Sequence, residues 1–96
     1  MKSLRFEWDL QKASANLRKH RVSFEEAKTV FLDEEALLLP DNEHSVSEDR
    51  FIMLGVSAQM RMLVVCHCYR KSDDIIRIIS ARKANRAEQA QYKRRV

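Results

Sequence analysis

Residues 75–88 run from a β-branched apolar segment straight into a helix start, and that junction limits the folds open to the chain. Ile75, Ile76, Ile78 and Ile79 surround a single arginine, Arg77, a composition that favours a mostly buried strand. Asn85 and Glu88 then have capping-box spacing, an N-cap side chain followed by an acid at N3. A helix therefore starts near Arg86, passes Tyr92 and ends near residue 95. The first turn of a helix carries unpaired N–H groups and partial positive charge, so it attracts anions. Arg82, Lys83 and Arg86 surround this one, an arrangement suited to phosphate. The plainer alternative is a set of solvated cations around an ordinary helix start.

Charge is unevenly spread. Residues 1–23 carry six cations and two acids, residues 24–49 one and nine, and residues 50–96 eleven and three, so +4, −8 and +8 sum to the net +4. A basic C-terminal half points to a polyanion, most simply nucleic acid. Apolar residues make up 45% and charged residues 33% of 96 positions, which suits one globular domain spanning 1–96 rather than a disordered chain. No apolar run reaches membrane-crossing length, and the N-terminus lacks a signal-peptide apolar region; a cytoplasmic protein is expected. Cys66 and Cys68 flank His67 two residues apart, too far for an unstrained disulfide on a strand, so both read as small buried hydrophobes. With no second Cys/His cluster, neither a metal nor another cofactor is expected.

In chain order, residues 4–8 alternate apolar and polar, as a short strand or an anchored lead-in ending on Trp8. Asp9 caps a helix whose apolar stripe is Leu10, Ala13 and Leu17 and whose last turn holds Arg18, Lys19 and His20. Ser23 and Glu26 form a second capping box, with Val22 and Ala27 as a hydrophobic staple and Phe24, Ala27, Val30 and Phe31 as the buried stripe. A short strand at 36–39 stops at Pro40, residues 40–49 are loop, and strands follow at about 50–57, 61–69 and 75–82. The fold class is therefore α+β: two N-terminal helices, an antiparallel sheet of about four strands and a C-terminal helix.

Symmetric hairpins would sort the strands into two faces. Ile52, Leu54, Val56, Met62, Val64, Cys66, Cys68, Ile76, Ile78 and Ser80 share an apolar face that should pack on the two helices. The other face gathers Phe51, Met53, Gly55, Leu63, Val65, His67, Tyr69, Ile75, Arg77, Ile79 and Ala81, with His67 directly opposite Arg77. A mixed face of aromatics, imidazole and guanidinium suits a nucleotide. A guanidinium beside His67 would lower its pKa and leave it neutral, able to accept a proton.

Phe6-Glu7-Trp8-Asp9 with Lys12, Asn16-x-x-Lys19-His20, Val22-Ser23-Phe24-Glu25-Glu26-Ala27, and Arg77-Ile78-Ile79-Ser80-Ala81-Arg82 with Glu88 and Tyr92 together resemble the BrnT family of bacterial type II toxins. The resemblance covers nearly the whole chain and implies a fold similar to the RelE ribonuclease toxins. It further implies a ribonuclease that stops translation and is held inactive by an antitoxin. That antitoxin would be a DNA-binding repressor of ribbon-helix-helix type, so that DNA is met only through it. One departure is Arg21, where the family usually has glycine.

RNA carries its own nucleophile, the 2′-OH, so cleavage without a metal needs only proton transfer and stabilisation of the crowded phosphate. The candidates for this chemistry are His67 as acid or base, Arg77 and Arg82 as phosphate ligands, and Glu88 and Tyr92 as further proton-transfer groups. Lys12, Lys19, His20, Lys83 and Arg86 would extend the RNA surface, and Tyr69, Phe51 or Tyr92 would stack on bases. The rival class is a non-catalytic nucleic-acid-binding or protein-interaction module that uses the same cations without chemistry.

Overall fold

The computed structural model describes residues 4–44, 48–70 and 74–95. Residues 45–47 of the expected loop and 71–73 of the expected last turn lie outside them. In chain order the elements are β1 (Arg5–Glu7), α1 (Leu10–His20), α2 (Phe24–Thr29) continuing into a 3-10 turn (Val30–Leu32), β2 (Leu37–Pro40), a second 3-10 turn (Asn42–His44), β3 (Phe51–Val56), β4 (Met62–Arg70), β5 (Ile75–Lys83) and α3 (Arg86–Arg95). The α+β class holds, but the sheet has five strands in the order β1-β5-β4-β3-β2. The lead-in at 4–8 supplies the fifth, and it pairs parallel to β5, with Phe6 beside Ile76 and Glu7 beside Arg77. Pro40 ends β2 rather than stopping short of it, which an edge strand tolerates because proline lacks only a donor.

The register differs from the symmetric expectation in a way that matters for the site. Arg70 pairs with Ile75, one residue beyond the expected Tyr69–Ile75 pair, so His67 faces Ile78 and Arg77 faces Cys68. A bulge then leaves Ile79 with no opposite, and Cys66 pairs with Ser80. Ile76 and Ile78 thereby join the face of Leu63, Val65 and Ala81. That face, not the one expected, packs on the helices: Val22, Phe24, Ala27, Val30, Leu63, Val65, Ile78 and Ala81 form one buried core, with Trp8 edge-on to Phe24. The opposite face is covered at one end by α3, where Ala84 and Tyr92 pack with Leu54 and Val64.

α1 also departs from its expected stripe. Leu10 is 79% and Leu17 48% exposed, whereas Asn16 is buried. The reason lies in the edge of β5. β1 reaches only as far as Arg77, so the strand beyond it needs another partner for its backbone. Asn16 supplies one: its Oδ1 accepts from Ala81 N at 3.1 Å and its Nδ2 donates to Ala81 O at 2.8 Å and to Val22 O at 2.9 Å.

The N-caps of both helices form as their spacing predicts. Asp9 accepts from Lys12 N and Ser23 from Glu26 N. Glu26, however, does not reach back to Ser23; its carboxylate goes to Arg61 and Ser57. Arg21 ends α1 in the left-handed region, φ 59° and ψ 32°, a conformation that favours glycine. Arg21→Gly should therefore stabilise the protein by about 0.5–1 kcal/mol in denaturant melts. An unchanged or lowered midpoint would refute this.

Candidate active site

Beyond the bulge, alternation along β5 turns Ser80 and Arg82 to the α3 side of the sheet, beside Cys66 and Val64 of β4. Because α3 covers only one end of that face, a cleft of about 230 Å³ remains. Ile52, Val64 and Cys66 line it from the sheet, Ser80 and Arg82 from β5, and Arg50, Asp41 and His44 from the segment between β2 and β3. A larger cavity, about 470 Å³, lies by Phe51, Cys68 and Tyr69, but Glu48 and Asp49 line it and their carboxylates disfavour a phosphate.

Arg82 is positioned by the first turn of α3. Its Nη1 and Nη2 donate to Glu88 Oε1 and Oε2, each at 2.8 Å, a bidentate pair. Glu88 Oε1 also accepts from Asn85 N, and Asn85 Oδ1 accepts from Glu88 N, so the expected capping box forms in full. Arg82 holds the Glu88 carboxyl below the ordinary range, with the Asn85 N–H adding to the effect. Glu88 is therefore an ionised positioning group and a poor proton donor. In return Glu88 raises the Arg82 pKa and keeps the guanidinium charged. A guanidinium has five N–H donors; Glu88 and the Lys83 carbonyl engage three, and two remain for a ligand.

The other candidates are dispersed. Arg77 is on the same face as Arg82, but their partners, Cys68 and Val64, are four positions apart on β4, or roughly 13 Å along the strand. It donates to Glu7 at 2.9 Å. Tyr92 donates to Asp33 at 2.7 Å, and burial together with that carboxylate pushes its hydroxyl up to about 12. It anchors α3 and is too weak an acid for the proton transfer expected of it. Lys12, Lys19 and His20 belong to α1, in the layer on the opposite side of the sheet from the cleft. Lys83 and Arg86 are exposed near the start of α3, with Lys83 close enough to Glu26 to lower its pKa.

The His67–Arg77 pair does not exist. His67 is 0% exposed. Its Nδ1 lies 3.0 Å from the Val65 carbonyl and its Nε2 3.2 Å from the Tyr69 hydroxyl. A carbonyl only accepts, so Nδ1 carries the proton and Nε2 accepts from Tyr69. Phe31 packs edge-on at 4.8 Å, and Tyr69 belongs to the same cluster with Phe51 rather than to an open stacking platform. The His67 pKa is lowered, as expected, but by burial and not by a guanidinium. With both nitrogens engaged inside the core, His67 has no route to RNA. The unfolded chain binds its proton at a higher pH than the folded one does. Stability should therefore decline as pH falls below the ordinary value of about 6.5 toward the lowered folded value. His67→Leu should flatten that part of a stability–pH curve, and an unchanged slope would remove His67 as its source.

Sequence patterns passed over Arg50, His44 and Asp41. The usable signal was the Asp41-x-x-His44 spacing after Pro40, which closes a turn and brings His44 Nδ1 to 2.9 Å from Asp41 Oδ2. Arg50 stands one residue before β3 and carried no pattern. Among the described residues, no three His, Cys, Asp or Glu side chains come together as a potential metal site.

A family model described as "Ribonuclease toxin, BrnT, of type II toxin-antitoxin system" matches residues 8–88. The 1.1 Å crystal structure of the Brucella abortus ribonuclease toxin BrnT superposes with a TM-score of 0.67 at 20% identity, over 88% of this chain and 100% of that one. At that identity the likeness shows a shared fold. No curated protein matches the chain.

Proposed function

Since the chain belongs to the BrnT family of type II toxin-antitoxin ribonuclease toxins, we propose that it cleaves RNA at the Arg82 cleft without a metal ion and thereby inhibits translation. The observation that carries the reading is the Arg82–Glu88 pair, which fixes a charged guanidinium with two open donors on a cleft also lined by Arg50. A bidentate guanidinium suits the non-bridging oxygens of a phosphodiester, and its charge opposes the negative charge that grows as the 2′-oxygen attacks. Arg77, on the same face, would meet a different phosphate of the strand. Metal independence rests on the substrate, which brings its own nucleophile. No helix among the described residues is long and apolar enough to cross a membrane; the site of action proposed is the cytoplasm, where the RNA is.

The direct test incubates the purified protein with RNA in excess chelator. Cleavage is expected, with 2′,3′-cyclic phosphate ends, and a single 2′-deoxy substitution at the scissile nucleotide should block it. Binding without cleavage would favour the non-catalytic module. The partner proposed is an antitoxin of ribbon-helix-helix type that represses its own operator and covers the cationic face with acidic and apolar side chains. Its association rate should fall as salt rises; a rate indifferent to ionic strength would remove the electrostatic part of this proposal.

A further inference from the structure

With His67 sealed in the core and Tyr92 held on Asp33, the ribonuclease reading lacks a proton-transfer group. We propose that His44 is that group, with Asp41 positioning it. The inference rests on the cleft being where RNA is cut. Three observations carry it. His44 lines the same cleft as Arg82 and Arg50. Its side chain is 60% exposed, in contrast to 10% for Asp41, so the imidazole is accessible while its partner is fixed. Its Nδ1 lies 3.0 and 2.9 Å from the two Asp41 carboxylate oxygens. An ionised carboxylate only accepts, so Nδ1 carries the proton of the neutral ring and Nε2 keeps a lone pair for substrate.

Asp41 is itself fixed. It is 8% exposed, its N–H donates to the Arg50 carbonyl at 2.9 Å, and its Oδ2 lies 3.6 Å from Cys66 Sγ. Burial, with Asp41 beside it, pushes that thiol up to about 11, so Cys66 remains a neutral donor that helps to hold the carboxylate. The charged and titratable groups that face His44 across the cleft are therefore Asp41, Glu43, Arg50, Cys66 and Arg82. An orienting acid, an imidazole and a phosphate-binding guanidinium on one cleft make a constellation for general base catalysis.

The step balances with water as the only co-reactant. His44 Nε2 takes the proton of the 2′-OH, the O2′–P bond forms, and the P–O5′ bond breaks. The departing 5′-oxygen takes a proton from water, and the hydroxide left behind takes one from the His44 imidazolium. The products are a 2′,3′-cyclic phosphate and a 5′-OH.

The test compares wild type, His44→Ala and Asp41→Asn on a short RNA, with kcat/KM measured from pH 5 to 9 and thermal melts alongside. His44→Ala should melt like wild type, lose about 10²–10⁴-fold in cleavage, lose the rise of rate with pH, and recover part of the rate in added imidazole. Asp41→Asn should lose less and, unlike His44→Ala, gain nothing from added imidazole, because the ring is still present but has lost the carboxylate that orients it. If wild type cleaves and folded His44→Ala cleaves within threefold of it on the same pH profile, His44 is not the base. A slow His44→Ala that keeps the rising limb and ignores imidazole is equally fatal, since it marks a merely structural role. No cleavage by wild type overturns the ribonuclease reading and this inference together.

Discussion

Arg61→Ala is expected to destabilise the protein by about 3–5 kcal/mol, the usual effect of removing one partner from a buried ion pair. The Glu26 side chain is 2% exposed and the Arg61 side chain 29%. Arg61 Nε donates to Glu26 Oε2 at 2.9 Å, its Nη2 contacts Oε1, and Ser57 Oγ donates to Oε2 at 2.7 Å. A further bond runs from Arg61 Nη2 to the Arg21 carbonyl at 3.0 Å, so a single guanidinium ties α2, the β3–β4 turn and the end of α1 together. Without it the buried carboxylate keeps a single hydrogen bond, from Ser57. A small domain has roughly 5–15 kcal/mol in total, so much of this one's stability is at stake. Arg61→Lys should recover only part of the loss, because an ammonium cannot form the fork. The double variant Glu26→Leu/Arg61→Met should lose less than the two single losses added together, since no charge is left stranded.

The same pair sets an acid limit. The Arg61 hydrogen bonds are the largest cause holding the Glu26 carboxyl below its ordinary value, opposed by burial. A depressed carboxylate stabilises fully above the unfolded pKa of about 4.3 and loses that contribution as pH falls through the folded value. Wild type should thus weaken below pH 4.5. In Arg61→Ala the largest influence holding the carboxyl down is gone and burial is opposed only by the Ser57 hydrogen bond and the Lys83 charge, so the gap between the two proteins should narrow toward pH 4. A constant gap from pH 7 to 4 would mean that Glu26 is not the group left stranded.

What the sequence makes legible divides by range. Asp9, Ser23 and the Asn85–Glu88 box act over three residues, and their spacing was enough to place all three helix starts. The strands, too, lay close to where β-branched runs put them. Register was not visible, because it depends on where β4 ends and on an extra residue at Ile79, neither of which has a compositional mark. Both sheet faces are apolar enough to be a core. What separates them is that the two shifts move Ile76 and Ile78 to one side and leave Arg77, Ser80 and Arg82 on the other. The same two shifts keep His67 and Arg77 on opposite faces. Asn16 shows a different limit: an amide that completes the edge of a strand looks, in sequence, like any polar residue on a helix. For the site, the capping box led directly to Arg82 and Glu88, whereas Arg50, Asp41 and His44 are assembled by chain entering and leaving the edge strand β2.

Arg82→Ala should reduce RNA cleavage by about 10²–10³-fold, the loss typical of one donor to a developing negative charge, with little effect on folding. The two expectations separate because of exposure. The Arg82 and Glu88 side chains are 42% and 23% exposed, so their pair contributes only ~0–1 kcal/mol to stability. The capping box survives without Arg82, since Asn85 and Glu88 bond each other's backbone N–H. Arg82→Lys should recover little, because an ammonium can keep the charge but cannot face Glu88 and a phosphate with one rigid plane. Glu88→Gln should lose roughly tenfold, keeping the cap while loosening Arg82 by removing its charged partner. Arg77→Ala is the control for place: paired with Glu7 and distant from the cleft, it should weaken binding of longer RNA more than turnover of a short one. Steady-state cleavage of a short RNA by these four variants, with melts of each, decides the matter. Full activity in a folded Arg82→Ala, with the loss appearing in Arg77→Ala instead, would move the phosphate site to the β1 edge of the sheet and leave the cleft beside α3 without its ligand.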